Sequence, residues 1–172
     1  MNSFRLLFEL LALNVSNGII CNSQATRESV KKLLILKNDH LSLKVISNPV
    51  LDDDYQTFLS KRNEQKKLLK KIVFIGRFVP QKQVLHAVQA FNIIASRVKD
   101  VELTIIGEGP QYQEIQRLIE KYNLQDKVII RSYCDDIPSL LMNSDFLINT
   151  SEFEGFGNIF IEGLAFCDYL VC

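Results

Sequence analysis

The chain has 172 residues, and its 20 basic and 20 acidic side chains cancel. That length suits one well-buried domain, or one domain plus a fragment, and 47% hydrophobic residues argue for a packed core over disorder. The balanced charge provides no general attraction to nucleic acid, so no nucleic-acid partner is expected. Cys21, Cys134, Cys167 and Cys172 form no CxxC pair, and His40 and His86 are the only histidines. No metal site is expected, and the cysteines read as reduced structural residues of a cytoplasmic protein.

No stretch is long and apolar enough to span a bilayer. Phe4 to Leu13 is apolar, but Glu9 interrupts it and Arg5 is its only basic flank. It reads as an amphipathic helix packed on the protein rather than a signal peptide. Gly18 to Cys21 reads as a short buried strand ending in a polar turn. A helix is expected from about Ala25 to Leu36 with Ser23 as N-cap, then a strand over Leu43–Ile46 closed by Ser47-Asn48-Pro49.

From Leu51 to Lys71 the composition shifts. Asp52, Asp53 and Asp54 precede Lys61, Arg62, Lys66, Lys67, Lys70 and Lys71, which reads first as a solvated charged connector. The second reading is a basic surface resting on anionic lipid.

Beyond it the pattern alternates. Strands are expected at Ile72–Ile75, Glu102–Ile106, Lys127–Ile130, Phe146–Asn149 and from Tyr169. Helices are expected at Val84–Val98, Gln111–Tyr122, Asp136–Asn143 and Asn158–Phe166. The first of these helices has Val84, Leu85, Ala87, Val88, Phe91 and Ile94 at helical spacing. The second turns Ile115, Leu118 and Ile119 inward. Continuous apolar strands alternating with amphipathic helices imply βαβ units. The fold class is therefore α/β, a Rossmann-like parallel sheet with helices on both faces.

In such sheets ligands bind beyond the carboxyl ends of the strands. The residues there are Gly76-Arg77 followed by Lys82, then Gly107-Glu108-Gly109-Pro110, Arg131-Ser132-Tyr133, and Thr150 through Gly157. Arg77 and Lys82 are cations suited to a diphosphate, or else two surface residues of a loop. The Gly107 loop lacks the third glycine of a GxGxxG fingerprint, which disfavours a nicotinamide dehydrogenase. Tyr133 and Ile137 are placed to flank a base, or to serve the core or rim. His86 reads as a surface or core residue, and no Ser-His-Asp or Cys-His arrangement is visible. Glu154 and Glu162 flank the turn Gly155-Phe156-Gly157-Asn158, which opens a helix. The helix end offers N–H groups to an anion, and the carboxylates accept from sugar hydroxyls. Together they suggest a nucleotide-sugar site.

The order Phe74-Ile75-Gly76-Arg77…Lys82, Ile105-Ile106-Gly107-Glu108-Gly109-Pro110, Ser144-Asp145 and Ser151…Glu154-Gly155-Phe156-Gly157-Asn158…Glu162 resembles the retaining glycosyltransferases of family 4. These have the GT-B fold, two Rossmann-like domains facing a cleft. The resemblance implies that residues 1–50 are the remnant of the N-terminal domain. Residues 51–71 are then a connector, and 72–172 a truncated nucleotide-sugar-binding domain.

By position, Arg77 and Lys82 match the basic pair on the donor's diphosphate, with Gly76 and Gly107 in the same loops. Glu154 matches the glutamate facing the donor sugar. Glu162 matches the one that binds ribose hydroxyls. Phe156, Gly157 and Asn158 match the loop whose N–H groups approach sugar and phosphate. The implied activity moves a sugar, with retention, from a nucleotide diphosphate sugar (UDP- or GDP-linked) to a glycan or lipid-linked acceptor. Such transfer serves cell-surface polysaccharide or lipopolysaccharide synthesis, in the cytoplasm or peripherally at the inner membrane surface. No metal and no cofactor are implied.

A sugar-nucleotide 2-epimerase of the same fold and an inactive sugar-nucleotide-binding remnant are the alternatives. The chain departs from the family at Gln83 and Ser132, where glycine is common, and at Cys167-Asp168-Tyr169, where a proline is usual. It also lacks most of the N-terminal domain and the closing elements, so this chain alone is expected to be inactive.

Overall fold

The computed structural model of the chain describes residues 10–34, 41–49 and 70–172. It divides into two compact units, Met1–Pro49 and Val50–Cys172. Residues 1–9, 35–40 and 50–69 fall outside the description, and with them most of the expected amphipathic helix, the expected helix end at Leu36 and most of the charged connector.

In the first unit, residues 10–15 are helical. Strand β1 (Gly18–Cys21), helix α1 (Gln24–Leu33) and strand β2 (Ser42–Val45) follow. β1 and β2 pair in parallel, Gly18 opposite Ser42. Ser23 caps α1 as expected, its Oγ accepting the N–H of Thr26 at 3.1 Å. The expectation of a buried strand is corrected: in β1 only Cys21 is buried, and Ile20 is 70% exposed. A two-stranded sheet has too few neighbours to cover both faces, so an apolar run does not guarantee burial.

The second unit comprises β3 (Lys71–Ile75), α2 (Val84–Arg97), β4 (Glu102–Ile106), α3 (Tyr112–Lys121), β5 (Val128–Arg131), α4 (Ile137–Met142), β6 (Phe146–Ile148), α5 (Asn158–Phe166) and β7 (Tyr169–Val171). The sheet is fully parallel in the order β5-β4-β3-β6-β7. This is the doubly wound α/β arrangement expected from the strand and helix alternation.

Strand alternation explains why β3 is apolar on both sides. Ile72 and Phe74 enter one cluster with Val84, Val88 and Phe91 of α2 and Ile115 of α3. Val73 enters another with Leu141 of α4, Leu147 of β6 and Ala165 and Phe166 of α5. Each fully buried side chain of this kind stabilises by about 1.5–3 kcal/mol over its exposed state.

Two polar devices fix the ends. Asp136 caps α4 by accepting the N–H of Ser139 at 2.9 Å, with Pro138 in the first turn. Asp145 is buried at the start of β6, and its carboxylate accepts the N–H groups of Lys70 and Lys71, both at 2.7 Å. Asp145 is thus a structural tie at the amino ends of the strands, opposite the ligand end.

Candidate functional site

β3 is the point where the strand order reverses, since β4 lies on one side of it and β6 on the other. The crevice beyond the carboxyl ends of β3 and β6 is where such sheets receive ligands. Two loops meet there, one after β3 and one after β6.

The loop after β3 begins at Gly76, whose N–H donates to the Ile106 carbonyl at 2.9 Å. Phe78 is fully buried, and its N–H donates to the Glu108 carbonyl at 2.7 Å. The Gly107-Glu108-Gly109 turn lies directly against it. Gly107 and Gly109 have φ of 149° and 153°. A Cβ on Gly109 would stand 2.5 Å from the Phe78 carbonyl oxygen, and one on Gly107 would overlap that of Gly76. Both glycines are required by close backbone approach.

The β3 loop then tightens into a 3-10 turn over Pro80–Lys82, and Gln83 takes a left-handed conformation at φ 48°. This sets the direction of Lys82. Its Nζ reaches the Glu154 carboxylate in an ion pair, with both side chains 17% exposed. Glu154 Oε1 also accepts from Ser151 Oγ at 2.8 Å and from Asn149 Nδ2 at 3.4 Å. The two loops are stitched further by the Glu152 N–H on the Gln81 carbonyl at 2.9 Å and by Gln81 Nε2 on the Phe153 carbonyl at 2.8 Å.

Burial pushes the Glu154 carboxyl up. The hydrogen bonds from Lys82, Ser151 and Asn149 and the Lys82 charge outweigh it, so its pKa is lowered. Glu162 behaves in the opposite way: half-buried on α5, its pKa is raised by burial.

Gly157, at φ 75°, caps α5 without a side chain, and a Cβ there would overlap the Phe160 ring. The helix N-terminus is left narrow and positive in potential. Asn158 opens α5, and Glu162 follows one turn later on the same face. Phe156 is half-buried between Glu154 and the helix.

Beside this lies an open cleft of about 890 Å³, lined by Gly76, Arg77, Gly107, Ser132, Tyr133 and Ile137, among others. Arg77 is exposed on it, and Tyr133 is 72% exposed. The expected residues thus fall into three neighbourhoods. Gly76, Arg77, Gly107 and Tyr133 share the cleft, Lys82 and Glu154 form the ion pair, and Gly157, Asn158 and Glu162 stand on α5. Arg77 and Lys82, expected as one basic pair, have different surroundings. His86 is exposed and bonded through Nδ1 to Gln83 Oε1 at 2.9 Å. Among the described residues no group of three or more His, Cys, Asp or Glu side chains is placed to hold a metal ion.

Sequence reasoning missed the part played by Asn149 and Thr150. Their signal is the alternation of β6 continuing past its end. Asn149 and Ser151 turn to Glu154, while Thr150 turns the other way, to the carbonyls of Lys82 and Gln83 at 3.1 and 2.9 Å.

A doubly wound sheet with its loops gathered at the switch point is the Rossmann-like architecture found in GT-B glycosyltransferases, and the solved structures that this chain resembles are of that kind. Staphylococcus aureus TarM (G117R mutant), in complex with Fondaparinux, alpha-GlcNAc-glycerol and UDP, matches with a TM-score of 0.70 and 25% identity, over 95% of this chain and 31% of that one. Anabaena Alr3699/HepE, in complex with UDP and glucose, has the same fold with a TM-score of 0.73 at 22% identity, over 96% and 47%.

The family model for glycosyl transferases group 1 matches residues 56–172, and the chain belongs to that family. Among curated relatives, the poly(glycerol-phosphate) alpha-glucosyltransferase of Bacillus subtilis (strain 168) is 35% identical over 95 residues, 55% of this chain and 14% of the relative. The GPI3 subunit of phosphatidylinositol N-acetylglucosaminyltransferase from Saccharomyces cerevisiae (strain YJM789) is 29% identical over 171 residues, 95% of this chain and 37% of the relative. The chain therefore spans well under two thirds of either relative.

Proposed function

We propose that this chain is the donor-binding part of a retaining family 4 glycosyltransferase. The whole enzyme, not this part alone, moves a sugar from a UDP- or GDP-linked donor to a glycan or lipid-linked acceptor, as in the synthesis of cell-surface polysaccharide or lipopolysaccharide. The observation that carries the reading is the Lys82–Glu154 pair at the switch point of the sheet, one turn of chain before the bare N-terminus of α5. A cation and a helix end converge where a diphosphate gathers charge as it leaves. The UDP in the TarM complex supports the uridine donor.

In this reading Arg77, Lys82 and the α5 end hold the diphosphate, with Gly76 and Gly107 letting backbone approach it. Tyr133 flanks the base across the cleft. Glu154 accepts from the donor sugar and Glu162 from the ribose, while Phe156, Gly157 and Asn158 shape the turn between them. Stabilising the departing nucleotide supplies the catalysis. A glycosidase-like Glu154–Glu162 pair is disfavoured in this reading, because the ribose occupies the second carboxylate. The cations take the place of a divalent ion, and the reading invokes no cofactor. We place the protein in the cytoplasm; the basic run from Lys61 to Lys71 reads first as a solvated connector, and peripheral contact with the inner membrane surface is its second reading.

The test is calorimetric titration with UDP, GDP and their sugar conjugates. Glu162→Gln weakens binding of the bare nucleoside diphosphate, by about tenfold for a lost charge-assisted bond. Glu154→Gln spares it and weakens only the sugar-bearing donor. Failure of the folded chain to bind any nucleoside diphosphate refutes the reading. A new sugar nucleotide formed without acceptor would favour the 2-epimerase of the same fold. The two quoted relatives are named as transferases, which favours transfer.

A further inference from the structure

Of three consecutive residues beyond β6, two send their side chains to the Glu154 carboxylate and one to the backbone that carries Lys82. Asn149 is buried, its Nδ2 donating to Glu154 Oε1 at 3.4 Å while its Oδ1 accepts the Ser151 N–H at 2.7 Å. Ser151 Oγ donates to the same Oε1 at 2.8 Å. Thr150 points the opposite way, as strand alternation requires, and its Oγ1 is shared between the carbonyls of Lys82 and Gln83. One carboxylate oxygen of Glu154 is therefore taken by Lys82, Ser151 and Asn149 together, which leaves Oε2 for a ligand hydroxyl.

We infer that Asn149, Thr150 and Ser151 are positioning residues of the donor site. Asn149 and Ser151 aim Glu154 at the sugar, and Thr150 aims Lys82 at the diphosphate. The inference rests on the functional reading above and assigns roles to residues outside the ligand-touching set. The physical reason is preorganisation. A carboxylate on a glycine-flanked turn has several rotamers open to it. Two short donors from the adjacent strand end restrict it before the ligand arrives, so less order is lost on binding. Lys82 leaves a turn that ends in a left-handed residue, Gln83, and the Thr150 hydroxyl pins the carbonyls of both. That pin adds to the Lys82 N–H bond on the Val79 carbonyl, at 2.9 Å, in fixing where the lysine stem starts.

The division of labour makes the idea separable from a general structural role. Ser151→Ala should lower affinity for the sugar nucleotide about tenfold and leave the bare nucleoside diphosphate within about twofold. Thr150→Val, of the same shape without the hydroxyl, should lower both. Ser151→Thr and Thr150→Ser restore the hydroxyls and should recover most of the loss.

The experiment is titration of the unaltered chain and these four variants with UDP, GDP, UDP-glucose, UDP-N-acetylglucosamine and GDP-mannose. Thermal unfolding of each variant is followed in parallel. A selective loss of the sugar nucleotide in Ser151→Ala, rescued by threonine, is the expected result. Equal loss of both ligand types in Ser151→Ala, or no loss in either alanine or valine variant, overturns the inference while leaving the functional reading standing. Absence of any binding by the unaltered chain overturns both.

Discussion

The carbonyl oxygen of Gly76 occupies the space that a Cβ on Gly107 would need. The loops after β3 and β4 are packed backbone to backbone, and that contact sets the floor of the cleft. Gly107→Ala should therefore be costly, since it adds both a clash and a side chain at φ 149°. Overpacking and a forbidden φ together predict a loss of about 2–4 kcal/mol in urea unfolding. Gly76→Ala is the control. Its Cβ would meet only the Phe74 ring at 3.5 Å and the Lys82 stem at 3.7 Å, ordinary contacts, so stability should hold.

Asp145 offers a test of stability away from the ligand end. Asp145→Ala leaves the N–H groups of Lys70 and Lys71 without their shared acceptor at the start of β3. Hydrogen bonds to a charged group predict a loss of about 2–4 kcal/mol, and Asp145→Asn, which keeps one acceptor, about half of that. Nucleotide affinity of the folded fraction should not change, because the tie sits at the opposite end of the sheet. Chemical unfolding followed by titration below the transition checks both statements.

The element pattern was legible because the centre of the second sheet is covered on both faces, so β3 and β4 read as apolar runs, whereas Ile129 in β5 and Val171 in β7 are each 47% exposed. Ser23 also announced its helix through short-range capping. Failures came where position depends on distant chain. Ile20 looks like core in sequence, yet a two-stranded sheet cannot cover it. Arg77 and Lys82 are five residues apart in sequence, but their surroundings could not be read there: Lys82 pairs with Glu154, 72 residues away, while Arg77 lies on the cleft. The motif singled out Glu154 but could not show that Thr150 holds the loop opposite. That bond links residues 68 apart.

Gln83 is a place where the chain departs from the glycine common in its family, and the structure gives the cost. Its φ of 48° is unfavourable for a side chain by about 1–2 kcal/mol. Gln83→Gly relieves that strain but adds freedom to the unfolded chain, about 0.5–1 kcal/mol, and loses the bond to His86. The expected net change is a gain of up to about 1 kcal/mol, read as a raised urea midpoint. A loss of stability would mean that the Gln83–His86 contact outweighs the strain.

The two carboxylates of the site should respond to pH with opposite signs. Burial raises the Glu154 pKa, yet the bonds from Lys82, Ser151 and Asn149 bring it below the ordinary 4.5. A depressed pKa means that its stabilisation is present above that ordinary value and is lost as pH falls through the lower folded one. Burial alone raises Glu162 above the same 4.5. Its favourable contribution is present below the ordinary value and is lost as pH rises through the higher folded one, where a half-buried charge must form. Glu154→Gln should thus destabilise at about pH 7, with the gap to the parent closing as pH falls below 4.5 through the lower folded pKa. Glu162→Gln should stabilise at about pH 7, and its gap should also close in acid, from the other side. Urea midpoints of the parent and both variants across that range decide the matter. Parallel curves for the two variants would contradict the opposed environments of the two glutamates.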